Sequence, residues 1–239
     1  MQPQIVVPDY TGEHNKDVDK SVRRLEDSKT YRDLSTVIIC PTRGVIPAKV
    51  VQSWLSLIKP MNQKIVGPLF AIGMEVGEAY NSMFEMIVNH LEFSKWKYIL
   101  TIEEDNMPPP DGLMKLYESM DKYDVVQGLY WTKGETGQPM CYGDPRIMPK
   151  NFIPQKPIAG AVMECNGLGM GFNLFKISMF KKVPKPWFKT IQQFTPGQGT
   201  SMYTQDLYFY ERAGKEGFKF ACDCRVLTGH YDIENDRVW

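Results

Sequence analysis

The chain has 239 residues, and 28 Lys and Arg balance 28 Asp and Glu, so the formal net charge is +0. That balance argues against binding driven chiefly by counterion release from a long polyanion, while leaving room for a local basic patch. With 43% hydrophobic and 23% charged residues, the composition excludes wholesale disorder and suits one large domain or a domain with an appendage. No apolar run approaches the ~18–20 residues that span a bilayer. The opening residues lack a basic region followed by an apolar stretch, so no secretory signal is expected. The five cysteines, Cys40, Cys141, Cys165, Cys222 and Cys224, are scattered and odd in number, which predicts a reducing, cytosolic compartment rather than a disulfide framework. Cys222-Asp223-Cys224 can bind a soft metal, but it lacks the second pair of a zinc signature.

Residues 1–35 read as a charged N-terminal arm, with a solvated helix packed through Val18, Val22 and Leu25. From residue 36 to 239 a single domain is expected. Residues 36–40 form a β-branched run typical of a strand buried on both faces. Pro41-Thr42-Arg43-Gly44 is a loop, and Pro47 opens a helix to about residue 59. A strand over 64–72 and an amphipathic helix over 75–92 follow. Residues 98–102 are a third buried strand, stopped by Glu103-Glu104-Asp105. Pro108-Pro109-Pro110 breaks the chain before a helix over 111–120 and a strand over 124–130. Residues 131–165 read as loops and short hairpins, and 166–175 as a Gly-rich turn leading into apolar residues. The Pro-, Gly- and Gln-rich stretch 184–201 reads as a long loop and candidate lid. A helix over 204–214 and a strand over 218–227 close the pattern. Alternating strands and helices imply an α/β fold with a mostly parallel, mixed central sheet flanked by helices.

In open α/β sheets the ligand lies outside the carboxyl ends of the strands. That rule directs attention to Pro41 to Gly44, Gly73 to Glu75, Glu103 to Asp105 and Tyr130 to Lys133. No Gly-x-Gly-x-x-Gly follows the first strand and no Gly-x-x-x-x-Gly-Lys-Ser/Thr occurs, so neither a Rossmann dinucleotide site nor a P-loop is supported. Three acids at a buried strand end repel one another and lose hydration, and a divalent cation offsets both costs. Successive residues on a strand point to opposite sides, so Glu103 and Asp105 are expected to share one side. Hard Mg²⁺ or Mn²⁺ takes such oxygens and keeps positions for water and substrate phosphates. The plain alternative is an acidic surface turn. Thr204 can cap the helix that Gln205-Asp206 opens, which leaves Asp206 facing a cleft or serving as an ordinary first-turn acid. His230, in a Gly-His turn after the last strand, is a candidate ligand or a hydrogen-bonding residue. Trp131 and Tyr130 can stack on a flat ligand face, or pack in the core. Gly167, Gly169 and Gly171 permit close backbone approach or form a turn. Lys133 and the lysines at 181–185 form a local basic patch, solvated or facing a phosphorylated or nucleic-acid ligand.

In this order and spacing the segments resemble glycosyltransferases of the GT-A (nucleotide-diphospho-sugar transferase) fold, particularly inverting family 2 and its phage and bacterial relatives. Val37 to Arg43 resembles that family's nucleotide-binding opening, and Tyr98 to Asp105 its strand ending in an Asp-x-Asp (DXD) motif. Asn166 to Phe175 is similar to its Gly-rich segment, and Thr204 to Phe218 to its Glu-Asp motif and following helix. His230 falls where a metal-binding His is frequent. Two positions depart from the pattern, Glu103 for the first Asp and Gln205 for the Glu of the Glu-Asp pair.

The resemblance implies a hexosyl- or pentosyltransferase that moves a sugar from a nucleoside-diphosphate sugar to an acceptor hydroxyl with Mn²⁺ or Mg²⁺. It assigns the ion to Asp105, His230 and Glu103, and donor contacts to Pro41, Thr42, Arg43, Glu75 and Glu104. Trp131, Gly169 and Gln205 fall to the sugar and acceptor. Asp206 becomes the general base of an inverting transfer. A glycan, a small molecule and hydroxymethylated DNA are all open as acceptor. Other readings are a nucleotidyltransferase of related fold and a non-enzymatic module that binds a nucleotide sugar or carbohydrate.

Overall fold

The structure, a computed structural model, describes residues 3–6, 23, 26–27, 31–195 and 199–239. The core is a mixed sheet between two helical layers. Its strands are β1 (Gln4–Val6), β2 (Thr36–Thr42), β3 (Ile65–Ile72), β4 (Tyr98–Ile102), β6 (Val125–Leu129), β8 (Val162–Cys165), β10 (Phe172–Lys176) and β13 (Phe220–Leu227), in the order β1-β3-β2-β4-β10-β6-β13-β8. β2, β3, β4, β6 and β13 point one way, while β1, β10 and β8 run against their neighbours. The three-residue β1, from the N-terminal segment, pairs antiparallel with β3 along Gln4↔Ile72 and Val6↔Phe70. The proposed packing of Val18, Val22 and Leu25 lies outside the described residues.

Apolar periodicity explains the layers. Helix α2 (Val76–Asn89) buries Ala79, Tyr80, Met83, Phe84 and Ile87, the i, i+3, i+4 stripe of a half-buried helix. Helix α4 (Gln205–Lys215) buries Asp206, Phe209, Tyr210 and Ala213 on the same spacing. Both pack on one face of the sheet, where Phe84, Phe175, Phe180, Phe188 and Phe209 interlock with ring centroids 4.3–5.9 Å apart. Helix α3 (Gly112–Ser119) covers the other face through Leu113, Leu116 and Tyr117, joined by Trp54 of α1 (Ala48–Leu55).

Several elements differ from the sequence reading. Helix α1 stops at Leu55 rather than near residue 59, because Leu57 turns into the core and the Ile58 N–H donates to Pro110 O at 2.8 Å. Helix α2 ends at Asn89, where the ring of His90 takes over as acceptor for the N–H groups of Glu92 and Phe93 (3.2 and 3.3 Å). The predicted long loop over 184–201 instead contains an antiparallel pair, β11 (Ile191–Thr195) with β12 (Gly199–Tyr203). Gly, Pro and Gln there suggest irregular chain, but a local hairpin satisfies its backbone at little loop-closure cost. Thr204 occupies the N-cap of α4 without a side-chain capping bond.

Short strands finish the carboxyl edge. β7 (Cys141–Tyr142) pairs with β9 (Gly167–Leu168), and β14 (Gly229–Asp232) lies between β5 (Asn106–Met107) and β15 (Arg237–Val238). Among the described residues no helix is long and apolar enough to cross a membrane. All five cysteines are free and buried.

Candidate functional site

β4 is buried along its whole length, and three acids cannot continue it into the core. The chain therefore turns, with the Asn106 N–H donating to Glu103 O at 3.0 Å. The acids sit in a turn, so the alternation expected of a strand does not apply and each meets a different neighbour. β5 leaves this turn and pairs with β14 along His230↔Asn106, and the Tyr231 N–H donates to Asp105 O at 2.7 Å. That pairing carries His230 from the far end of the chain to Asp105, with Nε2 3.3 Å from Oδ2.

Glu103 points toward α2, where the Tyr80 hydroxyl donates to Oε1 at 2.8 Å. Loss of hydration pushes its carboxyl up to about 7, reinforced by the charges of Asp105 and Asp206 and opposed by the Tyr80 bond. Glu104 ties the turn to the loop after β2. Its Oε2 accepts from Thr42 Oγ1 (2.6 Å) and the Arg43 N–H (2.8 Å), and its Oε1 from Arg43 Nε (2.5 Å). Asp105 behaves oppositely to Glu103. Burial pushes its carboxyl up, but His230 and the Lys133 ammonium, 2.6 Å from Oδ2, outweigh that and hold it at about 2.

The orientation of His230 is set from behind. Nδ1 lies 2.7 Å from Trp131 O, an acceptor, so Nδ1 carries a proton there and Nε2 is the nitrogen turned to Asp105. Tyr130 holds the ring edge-on, centroids 5.6 Å apart. The Tyr130 hydroxyl in turn accepts from the Met170 and Gly171 N–H groups at 3.1 and 3.0 Å. A Cβ on Gly169 would stand 2.1 Å from that hydroxyl, so the space Gly169 provides is filled by Tyr130 rather than left open to a ligand.

A cavity of about 300 Å³ opens at the turn of the three acids, lined by Pro41, Thr42, Arg43, Met74, Val76, Glu103, Glu104 and Asp105. Asp206 is buried at the start of α4, its Oδ1 accepting the Leu207 N–H at 2.9 Å. Burial raises its carboxyl, and its charge is felt by Glu103 and Tyr130. Glu75 caps α2 by accepting the Glu78 N–H at 2.9 Å. The Thr190 hydroxyl lies 3.3 Å from Glu75 Oε1 and 3.4 Å from Gln205 Oε1, which joins two expected ligand contacts into one cluster. The sequence reading missed Tyr80, which supports Glu103, and took Lys133 for part of a surface patch. It also missed Asn106, wholly buried with neither side-chain polar atom hydrogen-bonded. A Tyr in the buried stripe of α2 carries no signal of its own; the adjacency of Lys133 to Trp131 was a usable one.

Among the described residues no three His, Cys, Asp or Glu side chains converge as a metal-ligand cluster. The pair Asp105 and His230 nevertheless fits a divalent ion that takes its other ligands from phosphate and water. One carboxylate oxygen faces one imidazole nitrogen, the other ring nitrogen is fixed by a carbonyl, and a Lys ammonium already sits against the carboxylate as a stand-in cation.

No protein-family model matches the chain, and no curated protein matches it. Solved structures do. A197 from STIV superposes with a TM-score of 0.61 at 18% identity, covering 86% of this chain and 93% of that one. GalNAc-T7, solved with UDP, GalNAc and Mn²⁺, superposes with a TM-score of 0.53 at 9% identity, covering 94% of this chain and 54% of that one. These likenesses concern the fold: the chain has the mixed α/β architecture of the GT-A glycosyltransferases.

Proposed function

We propose that the domain over residues 36–239 is a divalent-metal-dependent glycosyltransferase that moves a sugar from a nucleoside diphosphate to an acceptor hydroxyl. The observation that carries this reading is the contact of Asp105, at the carboxyl end of β4, with His230 Nε2. Asp105 and His230 hold the ion in this reading, with Glu103 beside them. When bound, Mn²⁺ or Mg²⁺ supplies Lewis-acid stabilisation of the charge that develops on the leaving diphosphate. The likeness to a structure solved with UDP, GalNAc and Mn²⁺ supports the donor class and the ion.

The chain's own residues perform the rest. Pro41, Thr42 and Arg43 wall the cavity, and Glu104 keeps that wall in register with the Asp105 turn. Trp131 orients His230 through its carbonyl, and in this reading its ring serves the sugar or acceptor. Asp206 accepts the acceptor hydroxyl's proton as the new glycosidic bond forms, a task suited to a carboxylate made more basic by burial. Gln205, joined through Thr190 to Glu75, positions the acceptor. Attack from the Asp206 side, opposite the diphosphate, inverts the anomeric carbon. The loop that a nucleotidyltransferase would use for phosphate is here drawn onto Glu104, which favours the glycosyltransferase. The five free, buried cysteines suit a reducing cytosolic compartment.

The test is a donor screen that measures release of UDP, GDP or dTDP from a panel of nucleotide sugars, with Mn²⁺ and with chelator. The expected result is release from one donor class, lost with chelator and reduced about 10²–10⁴-fold in Asp206→Asn. No release from any donor, or full turnover in Asp206→Asn, overturns the assignment.

A further inference from the structure

Lys133 and His230 converge on the same oxygen, Asp105 Oδ2, at 2.6 and 3.3 Å. A divalent ion bonded to that oxygen and to Nε2 has to share it with an ammonium group, and two cations on one carboxylate oxygen repel each other. We infer that Lys133 is the resident counter-ion of this site: it yields Asp105 only when the divalent cation arrives together with a nucleoside diphosphate, so that the two bind as a pair. The inference rests on the cation-site reading of Asp105 and His230 given above.

The local structure makes such an exchange a side-chain movement. The backbone around Lys133 is closed by Thr132 N–H to Gln138 O at 2.9 Å, Gln138 N–H to Thr132 Oγ1 at 2.8 Å and Met140 N–H to Tyr130 O at 2.9 Å. The same segment holds His230 through Trp131 O, so His230 keeps its orientation while Lys133 moves. The Lys133 side chain is 32% exposed, and its flexible four-carbon stem can re-aim without disturbing that frame.

Charge explains the coupling. Without a cation, the acidic turn at the cavity, Asp105 foremost, opposes a diphosphate; without a diphosphate, the incoming ion competes with Lys133. A diphosphate offers the displaced ammonium a new partner, so each ligand raises the affinity for the other by the same factor.

The test is Mn²⁺ binding by calorimetry, alone and with UDP, GDP or dTDP, on the wild type, Lys133→Met and Lys133→Arg. The wild type should bind Mn²⁺ weakly alone and more tightly with the matching nucleotide. Lys133→Met should bind Mn²⁺ alone about five- to thirtyfold more tightly, the fold-change that a partly buried charge-assisted pair represents, and should lose much of the nucleotide's enhancement. Lys133→Arg should retain the wild-type pattern. A damaged fold would weaken binding, so tightening is a result that a merely structural lysine does not produce. Unchanged or weaker Mn²⁺ binding in Lys133→Met, or wild-type binding as tight without nucleotide as with it, overturns the inference and leaves the glycosyltransferase reading standing. Failure of every variant, wild type included, to bind Mn²⁺ with any nucleotide overturns the metal reading and this inference with it.

Discussion

Residues 36–130 and residues 131–239 contribute differently to the same site. The first half builds the frame: β2, β3, β4 and β6 with α1, α2 and α3, each element held by an apolar pattern of its own period. It delivers Glu103, Glu104 and Asp105 to a strand end and also supplies Tyr80. The second half is irregular and supplies the partners. Trp131 and Lys133, Asp206, and His230 come from three separate segments and reach the acids through long-range pairings. The lesson is that local periodicity made a rigid platform, and distant, less regular chain gave its acids different fates.

The comparison is broken most severely by removing the group on which both halves meet. Asp105→Asn should lower turnover by more than about 10³-fold in the donor assay while leaving the fold intact by circular dichroism. Retained Mn²⁺-dependent turnover would separate the frame from the chemistry. The frame itself is tested at Phe84, whose ring packs against Phe175, Phe180 and Phe188. Phe84→Ala should cost about 3–5 kcal/mol in urea unfolding; a loss under ~1 kcal/mol would mean that this aromatic cluster does not anchor the platform.

A pH series separates the two end acids of the turn. The folded carboxyl of Glu103 lies at about 7 against an ordinary 4.5, so ionising it opposes folding. Its stabilising contribution is complete below pH 4.5 and lost as pH rises to about 7, a change of at most about 3 kcal/mol. Asp105 has the reverse sign: held at about 2 against 3.8, it stabilises above 3.8, and that contribution fades as pH falls toward 2. Urea melts in chelator should show wild type losing stability relative to Glu103→Gln between pH 5 and 8. Parallel curves would contradict the burial of Glu103.

Smaller effects sharpen the boundary between the halves. Glu104→Ala removes the acceptor of the Thr42 hydroxyl, the Arg43 N–H and the Arg43 guanidinium, and should cost about 1–3 kcal/mol. Arg43→Ala removes one member of that set, a side chain 83% exposed, and should cost under about 1 kcal/mol in the same melts. Equal losses from the two would show the surface ion pair, rather than the inward bonds, to be the tie.

Legibility in the sequence follows the range of the interaction. The stripe Phe209, Tyr210 and Ala213 places Asp206 on the buried side of α4, and that spacing is visible in the chain. The stop at Ile102 is equally visible, because five apolar or β-propensive residues meet three acids. The insertion of β10 antiparallel between β4 and β6 is not, since neither its apolar run nor its glycines encode which strands it joins. Nor is the division among Glu103, Glu104 and Asp105, whose side chains differ far less than their neighbours do.

By itself, then, the chain's order determined which segments become strands and helices and where a run of acids interrupts them, because those outcomes depend on side chains a few residues apart. Which acid has its carboxyl raised toward neutral pH, which is bonded to Arg43, and which meets both His230 and Lys133 was decided only when β5 paired with β14 and the Trp131 loop closed over them. Hydration, charge and hydrogen-bond partners act through distance in space, and that distance exists only in the folded molecule.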